Sequence, residues 1–388
     1  MEKTWRWFGK NDIITLSDLR QIGVEGIVTA LHHIPNGEVW SLEAINDLKK
    51  YIEDAGLRWS VVESLPVSES IKYAGPDRDQ LIENYKISLA NLGKAGVKTV
   101  CYNFMPVIDW IRTDLKHKQE DGTYTLYFDR PRFAYFDIYI LKRENAEKDY
   151  SAEILEKAHA LAKTITEAEK EELIENIIVK TQGFVNGNIK EGDQNPVAIF
   201  NRLLEKYKGI DKQQLRENYK YFLEKVVPVA EEYGVNLCIH PDDPPFPVLG
   251  LPRIVTNEED IDWFLKAVDN PHNGLTFCAG SLSAGIHNDV PALARKFASR
   301  THFVHLRSTN VLPSGNFIEA SHLGGRGHLL ELVKIFKDYP HLPMRVDHAP
   351  LMLTDVDKKY NPGYSFLGRM KALGEVSGMM HAVSQGVC

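Results

Sequence analysis

The sequence predicts a closed (β/α)8 TIM barrel with a long, partly helical insertion after its fourth strand, and three observations predict it. Strand-like and helix-like segments alternate along most of the 388 residues, the pattern of right-handed parallel units. Eight short apolar runs can be counted, the number at which such a sheet closes on itself. Four successive runs in the C-terminal half end in a residue able to ligate a metal, at the rim where this architecture gathers its chemistry. The expectation is one catalytic domain over residues 1–388, with 105–213 inserted in it.

The elements follow in order. TWRWFG (4–9) is an aromatic run stopped by glycine, the first strand. Residues 16–21 have helical spacing, and GIVTAL (26–31) is the second strand, followed by a loop through His32, His33, Pro35, Asn36 and Gly37. Ser41 caps a helix that runs to about Asp54 and stops at Gly56. WSVVES (59–64) is the third strand, 79–93 a helix, and TVCYNF (99–104) the fourth strand.

Between Met105 and about Gln213 the alternation breaks, over a span too long for an ordinary connection. GTYTLYFD (122–129) alternates like a hairpin arm, 151–176 is charged and helical, and 183–192 holds three glycines. Leaving from the functional rim, this insertion is expected to act as a lid; an arm used for oligomer formation is the alternative, and a homodimer is the expected assembly. A helix over 215–233 resumes the barrel. NLCIHP (236–241), LTFCAG (275–280), FVHLRS (303–308) and MRVDHA (344–349) complete the strands, with helices at 258–268, 290–298 and 329–338.

Composition narrows the function. A hydrophobic share of 43% and a charged share of 26% are those of a globular chain with a large core. A net charge of −7 without any Lys/Arg run argues against a nucleic-acid surface. No apolar stretch is long enough to cross a bilayer, and MEKTWRWFG lacks the charged-then-apolar pattern of a signal peptide, so the expected location is cytoplasmic. Four cysteines, at 101, 238, 278 and 388, show no paired spacing and fit a reducing compartment.

His240, Cys278, His305 and Asp347 fall at the ends of strands five to eight. Adjacent barrel strands bring their ends together, so the four can converge on one ion. Two imidazoles, a thiolate and a carboxylate suit Zn²⁺, Fe²⁺, Mn²⁺ or Co²⁺ better than Mg²⁺ or Ca²⁺. Each residue alone has an ordinary explanation: a buried Cys is most often core, and a His near a strand end is most often hydrogen-bonded. Four in the same relative position on successive strands point to a metal. Glu63, Asn103, Arg307 and the pair His32–His33 share the rim. Arg307 lies two residues beyond His305 and faces the same side, where its planar fork could clamp a carboxylate. Arg345 points inward beneath Asp347 as its buried partner, and Cys101 and Cys238 are expected in the core.

TALHHIPNGEVW (29–40), NFMPVIDWIRTDL (103–115), CIHPDDPP (238–245), VHLRS (304–308) and NPGYSFLGRMKAL (361–373) resemble the motifs of the bacterial mannonate dehydratase family, and the resemblance covers nearly the whole chain. It implies a xylose-isomerase-like barrel and a lyase dependent on Mn²⁺ or Fe²⁺, which converts the sugar acid D-mannonate to 2-keto-3-deoxy-D-gluconate in hexuronate catabolism. The family's ligand pattern falls on His240, Cys278, His305 and Asp347. Its catalytic histidine and tyrosine fall on His348 and Tyr364, beside Asp347. The sequence departs from the family's usual RPDHG at Val346 and Ala349, and within 319–328 it has Ser321 and Arg326 where acidic residues are usual.

Dehydration of an aldonic acid requires loss of the weakly acidic C2 proton and of the C3 hydroxyl, for which a divalent cation and an acid/base pair are the natural devices. His348 and Tyr364 would fill the two roles in either order. Arg307, with Asn103, His32 and the insertion's Trp110 and Arg112, would hold the polyhydroxylated substrate. A metal-dependent sugar isomerase on the same barrel is the main alternative, disfavoured by the thiolate. A repair endonuclease would want a basic rim, and a non-catalytic binding barrel would have no use for the complete residue set.

Overall fold

A computed structural model describes residues 1–181, 189 and 192–387; Cys388 and most of the glycine-bearing stretch 183–192 lie outside the described residues. Eight parallel strands close into a barrel: Glu2–Arg6, Gly26–Thr29, Arg58–Glu63, Thr99–Tyr102, Asn236–Ile239, Asn273–Cys278, Thr301–Leu306 and Pro343–Val346. Each pairs with its sequence neighbour within the barrel, and the eighth pairs with the first to close the ring. All eight are the predicted strands. The first, expected over 4–9, is shifted to Glu2–Arg6. The chain leaves the sheet early because the Asp12 carboxylate accepts the Phe8 amide (2.9 Å) and Gly9 takes a positive φ of 96°. The fifth stops at Ile239, ahead of Pro241, which has no amide to give the sheet.

The outer helices bury their apolar stripes against the barrel. Leu42–Asp54 is typical: Ser41 Oγ caps it by accepting the Ala44 amide (3.1 Å), and Ile45, Leu48 and Ile52 face inward. Trp5 and Trp7 alternate outward into the same core, leaving Thr4 and Arg6 on the interior face.

The segment after strand four builds a cap. Its hairpin, Asp114–Lys118 and Tyr124–Phe128, includes the predicted arm. The expected helix over 151–176 is two, Ala152–Leu161 and Glu167–Ile174, because Thr166 restarts the helix with a capping box. A feature not expected is that the loop after strand seven forms its own hairpin, Thr309–Val311 and Phe317–Glu319. This hairpin adds edge to edge to the cap's, making a four-stranded antiparallel sheet. Phe128 and Phe317 stack across the junction with centroids 5.0 Å apart, within a second apolar core that includes Ile108, Phe133, Phe136 and Ile177. Among the described residues no helix is long and apolar enough to cross a membrane.

Candidate active site at the barrel mouth

Strand register explains why the predicted donors meet. Cys278 lies directly beside His305 on the neighbouring strand, and His305 beside Arg345 on the next. His240, one residue past strand five, reaches the same point: its Nε2 is 3.2 Å from His305 Nδ1, while its Nδ1 faces the Pro241 carbonyl at 2.7 Å. Donor atoms of His240, Cys278 and His305 all lie within 4.8 Å of one another. Asp347, the fourth expected donor, stands just outside this group, with Oδ2 3.8 Å from His305 Nδ1. Its carboxylate is shared between Arg345 and Arg307.

The electrostatics suit a cation. Burial opposes charge on Cys278, yet Arg307 and His240 hold its thiol below the ordinary value, so it tends to thiolate. Burial likewise opposes charge on His240, but the neighbouring Cys278 raises it to about 10. His305 is held well below its usual value by burial and by Arg345, and is therefore a neutral imidazole. A thiolate and a neutral imidazole are the ligand forms a divalent transition ion requires, and the charge that His240 carries is one that such an ion would replace. The residues present fit the group.

Around this cluster runs a network of buried charge. Arg345 holds Glu63 through two bonds (3.0 and 2.9 Å) and also binds Asp347, the buried partnership expected. Arg307 donates to Asp243 (2.7 Å), lies 3.3 Å from both Asp347 and Glu319, and reaches His348 Nδ1 at 3.0 Å. This close approach needs Gly280, since a Cβ there would lie 1.8 Å from the Arg307 side chain. Arg112 donates to Asp243 (2.8 Å) and Glu319 (2.7 Å), its guanidinium 4.6 Å over Phe317. Between them, Arg112 and Arg307 hold the Asp243 carboxyl far below the usual carboxylate range despite its burial.

His348 and Tyr364 are brought together across the mouth, rings edge to face at 5.3 Å, and the Trp110 indole packs 5.0 Å from His348. Gly363, at φ 83°, leaves room for this, because a Cβ there would fall 2.7 Å from the His348 ring. Burial pushes the Tyr364 phenol well above its ordinary value, with Asp347 adding to the effect. Asn103 lines the mouth and donates to Asp109 (2.8 Å), whose carboxyl is raised to about 6 by burial.

Two expected substrate contacts are placed differently. Arg112 is fully buried and turned toward Asp243 and Glu319, because the strand-seven hairpin and strand five present those two carboxylates beneath the cap. His32 is exposed, its ring 6.3 Å from Phe8, and it is not among the residues that line the mouth. Sequence reasoning missed Asp109, Asp243, Glu319 and Arg6. Asp243 was legible in principle, as an acid three residues past a strand-end histidine, and Arg6 from its inward parity in WRWFG. Glu319 had no local signal, since only the pairing of its hairpin with the cap brings it to His348 Nδ1 (3.2 Å).

Residues 1–387 match the family model described as D-mannonate dehydratase (UxuA). The mannonate dehydratase of Marinomonas sp. strain MWYL1 is 47% identical over 390 residues, covering 98% of both chains. That of Saccharophagus degradans is 44% identical, covering 99% of this chain and 98% of the relative. The crystal structure of mannonate dehydratase from Streptococcus suis serotype 2 aligns with a TM-score of 0.78 at 34% identity, over 100% of this chain and 96% of that one. D-psicose 3-epimerase from Clostridium cellulolyticum H10, at 12% identity and a TM-score of 0.52 over 99% of both chains, shares the barrel fold alone.

Proposed function

Since the chain belongs to the D-mannonate dehydratase family and is a hydro-lyase, we propose that it converts D-mannonate to 2-keto-3-deoxy-D-gluconate and water. The C2 proton is removed, hydroxide leaves C3 with a proton, and the resulting enol becomes the 2-keto acid. The observation that carries this reading is the convergence of His240, Cys278 and His305 opposite His348 and Tyr364 at one barrel mouth. Those three residues, completed by Asp347, would hold Mn²⁺ or Fe²⁺, for which imidazole and thiolate donors are suited. When bound, that ion supplies fixed positive charge against the enediolate that develops beside the carboxylate.

The chain's own residues do the rest. Tyr364, whose buried phenol keeps its proton, is the donor to the departing C3 hydroxyl. His348 is then the base at C2: with Nδ1–H donating to Glu319 (3.2 Å), Nε2 is left free to take the proton. Trp110 closes over His348 and excludes water, which gives the cap its role as a lid.

The test is an assay of metal-stripped protein with D-mannonate, following the 2-keto-3-deoxy acid as Mn²⁺ or Fe²⁺ is restored. Activity that returns with either ion, and stays absent in Cys278→Ser, is the expected result. Tight metal binding without product would overturn the reading and direct attention to aldose–ketose isomerisation.

A further inference from the structure

Three arginines line the mouth, and two of them are already matched. Arg307 faces Asp243, Glu319 and Asp347, and Arg345 faces Glu63 and Asp347. Arg6 differs. It is buried to 7% exposure and lines the same cavity, yet no carboxylate of the described residues lies within ion-pair distance of it. Its Nη1 is buried without a hydrogen-bond partner among them, and the Phe8 ring lies 5.2 Å from the guanidinium carbon.

The position is built by the strand. Thr4 sits beside Arg345 in the closing strand pair, so two residues further along Arg6 stands level with Asp347, on the interior face. Trp5 and Trp7, on the opposite face, anchor the strand in the outer core. An unmatched guanidinium held out of water is costly, and native structures keep such a group where a ligand completes it.

We propose that Arg6 binds the carboxylate of the sugar acid, the role that sequence reasoning gave to Arg307. Arg307 already carries three carboxylates, whereas Arg6 lines the cavity with no ion-pair partner among the described residues and with its Nη1 unbonded. The proposal rests on the reading that the substrate is an aldonic acid: that substrate brings one negative charge, and Arg6 is the charge in the wall that lacks a counterpart.

The experiment compares wild type, Arg6→Gln and Arg6→Lys, all metal-loaded, for turnover of D-mannonate and for inhibition by its neutral isostere D-mannonamide. Arg6→Gln is expected to raise KM for D-mannonate about 30-fold, the scale of one lost hydrogen bond to a charged group. The inhibition constant of the amide should be unchanged, and Arg6→Lys should fall between wild type and Arg6→Gln. Unchanged KM, or equal weakening of acid and amide, would overturn the proposal. Thermal unfolding without substrate supplies the control for a merely structural role. Removing an unmatched buried charge should leave the midpoint equal to or above that of wild type, and a clear drop would overturn the assignment. If wild type does not turn over D-mannonate, the reaction reading falls. Thermal shifts by a panel of aldonates and their amides, in wild type and Arg6→Gln, then decide the Arg6 question: retained shifts by the acids in Arg6→Gln would overturn it.

Discussion

Two layers of one barrel, built by the same strands, behave as different materials. In the lower layer Val28, Val61, Cys101, Cys238 and Phe303 fill the interior with apolar atoms and thiols. Two residues along, strands three and seven bring in Glu63 and His305, strand six ends in Cys278, strand eight adds Arg345 with Asp347 just past its end, and loops add His240, Asp243, Arg307 and Glu319. The lower layer is held by area removed from water, and tolerates volume-conserving change. The upper layer is held by matched charge, where removal of one partner strands another. The comparison teaches that two thiols similar in burial can meet different neighbours: Cys238 donates to the Val100 carbonyl, whereas Arg307 and His240 hold Cys278 below its ordinary value.

The contrast can be broken at the top first. Cys278→Ser, or chelation of the proposed metal, should lower kcat by more than the ~10–100-fold typical of changes around a metal's ligands, with circular dichroism unchanged. Retained activity after complete chelation, checked by metal analysis, would remove the upper layer's proposed purpose. Next, His348→Asn should cost about 10²–10⁴ in kcat, the scale of a lost acid/base group, with little change in the urea midpoint.

Charge matching itself is probed by Arg345→Met, which takes the arginine partner from the half-buried Glu63 and one of two from the buried Asp347. A loss of ~3–5 kcal/mol in urea unfolding is expected. A loss below that of a core truncation would mean the network is solvated.

The pH dependence follows from Asp243. Its folded carboxyl titrates below its unfolded value, so its contribution is full above the unfolded value near 4 and is lost as pH falls below it. Asp243→Asn should therefore be less stable than wild type at neutral pH, and the two acid-unfolding curves should converge in acid. Curves that stay parallel would assign the stability elsewhere.

The smallest effect sharpens the boundary between the layers. Phe303 of the lower layer packs edge-on to His305, centroids 4.5 Å apart. Phe303→Leu should cost about 1 kcal/mol in stability and leave kcat unaltered. A fall in kcat would show that ligand orientation depends on the packing below.

How much of this was legible follows the range of each signal. The barrel was written locally, as apolar runs of strand length, a serine cap at Ser41 and prolines after His240, so all eight strands fell within a few residues of their predicted places. The convergence of His240, Cys278 and His305 was legible because they share a position relative to their own strand ends, which adjacency in a parallel sheet converts into proximity. Where the Arg112 and His32 side chains turn was not legible, because a loop side chain's direction is set by what packs around it. Arg112 turns to two carboxylates from distant segments, 131 and 207 residues away in the chain. Glu319 comes to His348 only through hairpin pairing between the strand-seven loop and the cap.

By itself, then, the sequence determined the strand and helix order, the closure of the barrel and the rim on which chemistry gathers, since each depends on period, caps and breakers within a few residues. Only the tertiary structure decided which charges are matched and which is left facing the cavity. Ion pairing in a buried mouth is a sum over groups from the whole chain, and Arg6 differs from Arg307 and Arg345 in nothing that its own neighbours in sequence record.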